Sequence, residues 1–191
     1  MEGFTALVVV SSALVFVVLH MRTKRQQAVR ELPDRDPLAP PEEEQRFGTT
    51  ARVKWVYDGD TVDVECDRGK VCIRLYSIDS PENGQPWGDI ATAGLIKMIG
   101  GQTVLLEEFG PDHYGRTLAT IWVRDKKTHK WTNVNERMVM LGHAWIMRGH
   151  YAHHDPERQY KLEALERWAR SKRVGLWKLP SPIPPWEWRK Q

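Results

Sequence analysis

The chain has 191 residues, of which 41% are hydrophobic and 28% are charged, and its formal net charge is +3. This composition excludes an intrinsically disordered chain, because there is enough apolar surface for a core, and two cysteines exclude a disulfide-rich scaffold. The slight basic excess favours a polyanionic partner but is far below that of a histone-like protein.

An apolar run without any charged residue, FTALVVVSSALVFVVL, occupies residues 4–19. As a helix it would be about 24 Å long, and extension to residue 21 brings it closer to the ~30 Å of a bilayer core. Because Glu2 precedes the run and basic residues follow it, we predict an uncleaved transmembrane anchor over residues 1–25, with residues 4–21 in the lipid bilayer. A cleaved signal peptide, with secretion of the rest, is the alternative.

The residues between 26 and 49 are rich in proline and glutamate and contain few large apolar side chains, which is typical of a disordered tether. The pattern then changes to short strands, so we predict a folded domain over residues 50–178. Residues 179–191 alternate prolines with Trp186 and Trp188 and predict an extended arm on the domain. A proline-motif ligand is the alternative for this arm.

Short strand-like segments, with alternation clearest in the first, predict five strands, near residues 52–57, 61–66, 70–78, 103–109 and 116–123. The second and third strands form a hairpin across Arg68-Gly69. Cys66 and Cys72 flank this turn and could form a disulfide only if the register places them opposite each other; otherwise they are ordinary strand residues.

Three helices are predicted from apolar spacing and capping residues. One begins at Asp89, one follows the capping box of Asn133 and Glu136, and one follows Asp155-Pro156. The predicted inward residues are Ile90, Ala93 and Met98 in the first helix, Val134, Met138 and Leu141 in the second, and Leu162, Leu165 and Trp168 or Ala169 in the third. Together these elements predict an α+β, mostly β fold: a five-stranded oligonucleotide-binding barrel with three packed helices, preceded by a transmembrane helix.

Two acidic turns, DGD at 58–60 and DSPE at 79–82, lie at the same predicted end of the hairpin. If positions 60 and 78 are roughly opposite, Asp60 and Asp79 meet there, and two close carboxylates require a cation between them. Oxygen ligands suit Ca²⁺ or Mg²⁺. Arg74 on the same strand could hold a phosphate, and Glu82 could activate a water molecule. Most Asp-Gly pairs, however, only form turns.

Five segments of the sequence resemble the staphylococcal nuclease (thermonuclease) family, in that family's order and near its spacing. They are YDGDT (57–61), IRLYSIDSPE (73–82), YGRTLATI (114–121), VNERMVMLGHAW (134–145) and GLW (175–177). The resemblance covers about residues 52–178. It implies an oligonucleotide-binding barrel that hydrolyses phosphodiester bonds of DNA and RNA with one Ca²⁺ ion and leaves 3′-phosphates.

The resemblance also implies roles for individual residues. Asp60 and Asp79 match the calcium carboxylates, and Ser80 matches a residue whose backbone carbonyl is a ligand. Glu82 matches the glutamate that activates water. The remaining matches are two phosphate-contacting arginines and an acid behind the metal site, at Arg74, Arg116 and Asp58.

The substrate-binding stretch departs from the family pattern. Of the tyrosines expected beside the nucleotide pocket only Tyr151 is available, one position off, so Arg148, His150 and Tyr151 are the candidates here. We interpret the histidines at 150, 153 and 154 as a solvated loop rather than a zinc site, because zinc sites need four well-placed ligands.

We therefore predict a membrane-anchored nuclease, an endonuclease and a monomer, in a bacterial inner membrane or an organelle membrane such as the mitochondrial one. The basic residues after the apolar run predict a cytoplasmic or matrix-like domain, whereas the need for calcium favours export, so the side stays open. The alternatives are a catalytically silent nucleic-acid-binding module and a generic single-strand-binding barrel. The natural substrate and the biological role are not predicted by the sequence.

Overall fold

Short strands that pair mostly antiparallel build the sheet, and burial alternates with exposure clearly only in the first of them. The computed structural model describes residues 48–147 and 155–191. Its long strands are β1 (Thr49–Val56), β2 (Thr61–Cys66), β3 (Gly69–Leu75), β5 (Thr103–Pro111) and β6 (Thr117–Arg124), and three short ones are β4 (Ile78–Asp79), β7 (Trp131–Asn133) and β8 (Trp145–Ile146).

The five long strands close into a barrel. The sheet order is β3-β2-β1-β5-β6-β7, and β3 also pairs in parallel with β6, where Arg74 lies opposite Leu118. The barrel interior is filled by fully buried aliphatic residues, which include Val62, Ile73, Leu106 and Ile121. The predicted five-stranded barrel with packed helices is thus confirmed.

Three helices pack on the barrel, as predicted: α1 (Gly88–Ile99), α2 (Val134–Met140) and α3 (Pro156–Ser171). Two of them begin at the predicted caps. The Asn133 side chain accepts a hydrogen bond from the backbone N–H of Glu136, and Asp155 accepts from those of Glu157 and Arg158.

The predicted inward face of α1 is wrong for Ile90 and Ala93, which are exposed, whereas Met98 is partly buried against the core. Ala91, Leu95 and Ile99 are fully buried, whereas Ile90 is 48% exposed. The helix carries apolar residues around most of its circumference, so periodicity could not select between neighbouring stripes and tertiary packing made the choice. In α3, Leu162 and Ala169 are buried and Trp168 is exposed.

The predicted third strand is interrupted. It ends at Leu75, and a turn with Ser77 in the left-handed region (φ 63°) leads to β4, which pairs with β8. The hairpin places Thr61 opposite Arg74, so the assumed pairing of positions 60 and 78 is wrong. Cys66 pairs with Gly69 and Cys72 with Asp63, and both cysteines are free.

The C-terminal arm is not extended throughout. A 3₁₀ turn (Gly175–Lys178) is followed by a short helix α4 (Pro185–Trp188), and prolines occupy the segment between them. Residues 48–147 and 155–191 contain no helix that is both long and apolar enough to cross a bilayer. The predicted anchor and nearly all of the predicted tether lie outside the described residues.

Candidate active site

The two acidic turns meet in a cleft of about 610 Å³ at one end of the barrel. Five carboxylates and three guanidinium groups are among the described residues that line it. These residues are Asp58, Asp60, Asp79, Glu82 and Asp112, with Arg74, Arg116 and Arg189. The cleft therefore has an excess of acidic groups, which favours a bound cation.

The first acidic turn is fixed by its own hydrogen bond and by close packing. The backbone N–H of Asp60 donates to Asp58 Oδ1 at 2.9 Å, which closes an Asx turn. A Cβ on Gly59 would lie 2.7 Å from Ser80 Cβ, so only glycine lets the two turns approach this closely. The glycine is required here for contact between the turns.

Asp60 and Asp79 do come together, although not through the predicted register. The turn at Tyr76 and Ser77 brings the chain back, and the N–H of Ser80 donates to Asp60 Oδ2 at 2.6 Å. Asp60, Asp79 and Ser80 are all buried.

Arg74 links the two aspartates. Its Nη2 lies 2.7 Å from Asp79 Oδ1 and its Nε lies 3.2 Å from Asp60 Oδ1. Its Nη1 donates to the carbonyls of Leu75 and Ile78 at 2.9 and 2.8 Å. Because a guanidinium has five N–H groups, these contacts leave about one N–H, on Nη2, for a phosphate oxygen.

Burial raises the pKa of Asp79. The neighbouring Asp60 carboxylate also raises it, whereas Arg189 and Arg74 oppose the rise. Burial and the charge of Asp60 likewise raise the pKa of Asp58 to about 7. Both shifts show that the site disfavours further negative charge. A divalent cation would relieve this repulsion, as expected for carboxylates that bind metals.

The donor set fits a hard divalent ion with few protein ligands. The described residues contain no group of three or more His, Cys, Asp or Glu side chains arranged for metal binding. Two carboxylates with a backbone carbonyl, the set predicted at Asp60, Asp79 and Ser80, would need water to complete the coordination shell, which Ca²⁺ and Mg²⁺ both accept.

Glu82 lies at the rim of the cleft, with its side chain 34% exposed. Its backbone N–H donates to Gln85 Oε1 at 2.9 Å, and its Oε1 forms an ion pair with Arg189 Nη1. A partly exposed carboxylate beside the two buried aspartates is suitably placed to accept a proton from water.

Arg116 also lines the cleft. Its Nε and Nη2 each lie 2.8 Å from Asp112 Oδ2, and its guanidinium lies 5.3 Å from the ring centre of Tyr114. These contacts leave Nη1 available for a ligand. The predicted catalytic residues Arg74, Glu82 and Arg116 therefore line one cleft.

Three residues of the site were not predicted. Asp112 orients Arg116, Gln85 holds the backbone of Glu82, and Arg189 binds both Asp79 and Glu82. An acid four residues before a predicted catalytic arginine is a weak local signal. No local signal exists for Arg189, which is separated from Asp79 by 110 residues.

The predicted substrate-binding residues, Arg148, His150 and Tyr151, lie outside the described residues, as do the other two histidines of that loop. Their roles stay predictions.

The chain is similar in sequence to several known proteins. Residues 72–179 match the family described as "Staphylococcal nuclease homologue". Over 139 residues the chain is 42% identical to "Protein ParB" of Escherichia coli, with 71% of this chain and 76% of the relative covered. It is 36% identical over 138 residues to "Micrococcal nuclease" of Shigella flexneri, with 71% and 77% covered.

An "Uncharacterized endonuclease" of Escherichia coli is 38% identical over 138 residues, with 72% of this chain and 83% of the relative covered. The relatives match most of the chain at this identity, and the acidic cleft of the barrel has the expected residues. The chain belongs to the staphylococcal nuclease family.

Proposed function

We propose that the protein is a calcium-dependent nuclease that hydrolyses phosphodiester bonds of DNA and RNA and leaves 3′-phosphates. The observation that carries this proposal is the convergence of Asp60 and Asp79 on Arg74, with Glu82 at the rim of the same cleft. Nuclease-named relatives support the reaction class.

The side chains suggest the following steps. Glu82 accepts a proton from a water molecule that attacks phosphorus in line with the 5′ oxygen. The free N–H groups of Arg116 and Arg74 donate to the phosphate oxygens as negative charge develops. The bond between phosphorus and the 5′ oxygen breaks, the 5′ oxygen takes a proton from solvent water, and the phosphate stays on the 3′ side.

Asp60, Asp79 and the Ser80 carbonyl would hold Ca²⁺, which when bound supplies charge neutralisation at the phosphate. Weak sequence specificity is part of the proposal, because the groups of the cleft suit a phosphate better than the edges of bases.

The test is cleavage of plasmid DNA and of RNA by the full-length chain in Ca²⁺ and in EGTA. We expect cleavage only with Ca²⁺, and 3′-phosphate ends on the products. Asp79→Asn should abolish cleavage, while Asp89→Asn, an exposed acid on α1 outside the cleft, should not. Cleavage in excess EGTA would contradict the metal role.

The alternative is a catalytically silent module that binds nucleic acid. One observation favours it: Arg189 already neutralises Asp79 and Glu82. This alternative predicts nucleic-acid binding without cleavage in any divalent ion, so the same assay, with a gel-shift measurement added, separates the two functions.

The N-terminal region remains part of the proposal as a single-pass anchor, with the nuclease domain tethered by residues 26–49. The support is the uncharged run at 4–19 together with the basic residues after it. Protease treatment of intact cells or organelles tests the side of the membrane: digestion of the domain without lysis would exclude the cytoplasmic or matrix-like placement.

A further inference from the structure

The C-terminal arm is tied to the loop that carries Glu82. Gln85 Nε2 donates to the carbonyl of Ile183 at 2.6 Å, and Gln85 Oε1 accepts from the backbone N–H of Glu82 at 2.9 Å. Helix α4 follows, and the N–H of Arg189 donates to the carbonyl of Pro185 at 3.0 Å. The arm thus holds Arg189 at a defined position beside the cleft.

Arg189 bridges the two carboxylates of the second acidic turn. Its Nη2 lies 2.8 Å from Asp79 Oδ2, and its Nη1 pairs with Glu82 Oε1. Asp79 therefore lies between two guanidinium groups, because Arg74 binds its other oxygen. The Asp60 carboxylate contacts Thr61, Arg74 and Ser80, and within the described residues it forms no ion pair with Arg189.

We propose that Arg189 is a positioning residue that sets the orientation of Glu82 and lowers the negative charge around Asp79. This inference rests on the roles proposed above for Glu82 and Asp79. The partly exposed Glu82 side chain can adopt several rotamers. Because the planar guanidinium of Arg189 also binds the buried Asp79, its ion pair with Glu82 favours one of these rotamers. The same positive charge opposes a divalent cation at Asp79.

A positioning role predicts that two measured quantities move in opposite directions. In Arg189→Ala, the affinity for Ca²⁺ measured by calorimetry without nucleic acid should rise about threefold or more, since a repulsive charge is removed. The turnover number should fall about tenfold or more with little change in KM, because Glu82 is no longer held. Arg189→Lys should restore the calcium affinity but not the turnover, since lysine lacks the planar fork.

Lys190→Ala is the matched control, because it removes a neighbouring exposed charge of the same arm. It should leave both quantities unchanged. Increases of both calcium affinity and turnover in Arg189→Ala would show an inhibitory plug, and no change in either would show an inert contact; both results overturn the proposal. Calorimetry does not depend on cleavage. Absence of activity in the unaltered protein would therefore refute the proposed function, while the Ca²⁺ affinities would still test the effect of the Arg189 charge.

A second, separate feature is a groove of about 1100 Å³ between α3 and the arm. Its lining combines tryptophans with basic side chains, and Met147 and Arg189 line both this groove and the active-site cleft. Within the described residues, no acid pairs with Arg173 or Lys178, whereas Arg170 pairs with Glu166 and lies 3.9 Å from the ring centre of Trp177.

We infer that this groove binds the single-stranded nucleotides that flank the scissile phosphate. Cations without an acidic partner beside an exposed indole ring suit a phosphate backbone with a stacking base, and the two shared residues place the groove next to the cleft. Trp186, which is 38% exposed, is the ring available for stacking. The inference deepens the proposed function, because it concerns the substrate of the same site.

The test is fluorescence anisotropy with a labelled 12-nucleotide DNA strand in EGTA, so that binding is measured without cleavage. Arg173→Gln with Lys178→Gln should weaken binding about tenfold and flatten its salt dependence. Lys172→Gln with Lys190→Gln also removes two positive charges, both outside the groove lining, and is the control for net charge. Equal weakening of binding by the two double variants would contradict the groove. So would unchanged oligonucleotide binding accompanied by the loss of binding to anionic vesicles or to an acidic peptide.

Discussion

Arg74 and Arg116 have the same predicted role but different surroundings. We therefore predict that Arg74→Lys lowers the free energy of unfolding more than Arg116→Lys does. The Arg74 side chain is 9% exposed and serves four acceptors: two carbonyls and two carboxylates. Lysine has three donors without a fork, so at least one buried acceptor loses its partner. At about 1–3 kcal/mol for each lost partner, Arg74→Lys should lower the free energy of unfolding by at least about 1–3 kcal/mol.

Arg116 provides the matched comparison. Its side chain is 29% exposed and its ion pair is with Asp112 alone among the described acids. Arg116→Lys keeps a charge beside this acid, so the loss should stay below about 1 kcal/mol.

The assay is urea unfolding of both variants in EGTA, followed by cleavage under conditions where each is folded. Turnover should fall about tenfold or more in both variants, which corresponds to about 1.4 kcal/mol of transition-state stabilisation. Unfolding free energies that agree within about 0.5 kcal/mol would refute the reasoning from burial.

Three further predictions concern a histidine, a glycine and the N-terminus. Burial lowers the pKa of His143, whose Nδ1 accepts a hydrogen bond from Trp87 Nε1 at 3.2 Å. In acid the unfolded chain therefore binds more protons than the folded one, and the free energy of unfolding should fall by up to about 1 kcal/mol as the pH drops from 6.5 to 5.5. His143→Gln should flatten this pH dependence in urea unfolding. Gly59→Ala should lower the free energy of unfolding by about 1–3 kcal/mol and weaken Ca²⁺ binding in calorimetry, because the added Cβ overlaps Ser80. Adding Ser80→Gly to this variant should recover much of the stability and of the Ca²⁺ affinity, and failure to do so would contradict the contact. Mass spectrometry of the native protein should find the N-terminal residues intact, and a mature chain beginning after residue 20 would exclude the anchor.

Much of the barrel could be predicted because its signals are local. The hairpin of β2 and β3 follows from strand alternation on both sides of a turn, and the helix starts at Asn133 and Asp155 follow from side-chain caps within three residues. The acids and arginines of the site could be identified because the resemblance places them at matching positions along the chain.

Tertiary structure decided how these residues meet. Asp60 and Asp79 converge because the strand breaks at Tyr76 and Ser77 and β4 pairs with β8, which no local alternation shows. Packing against the barrel determined which residues of α1 are buried. Arg189 reaches Asp79 only because the arm folds back over the domain, and a contact across 110 residues leaves no periodic trace in the sequence.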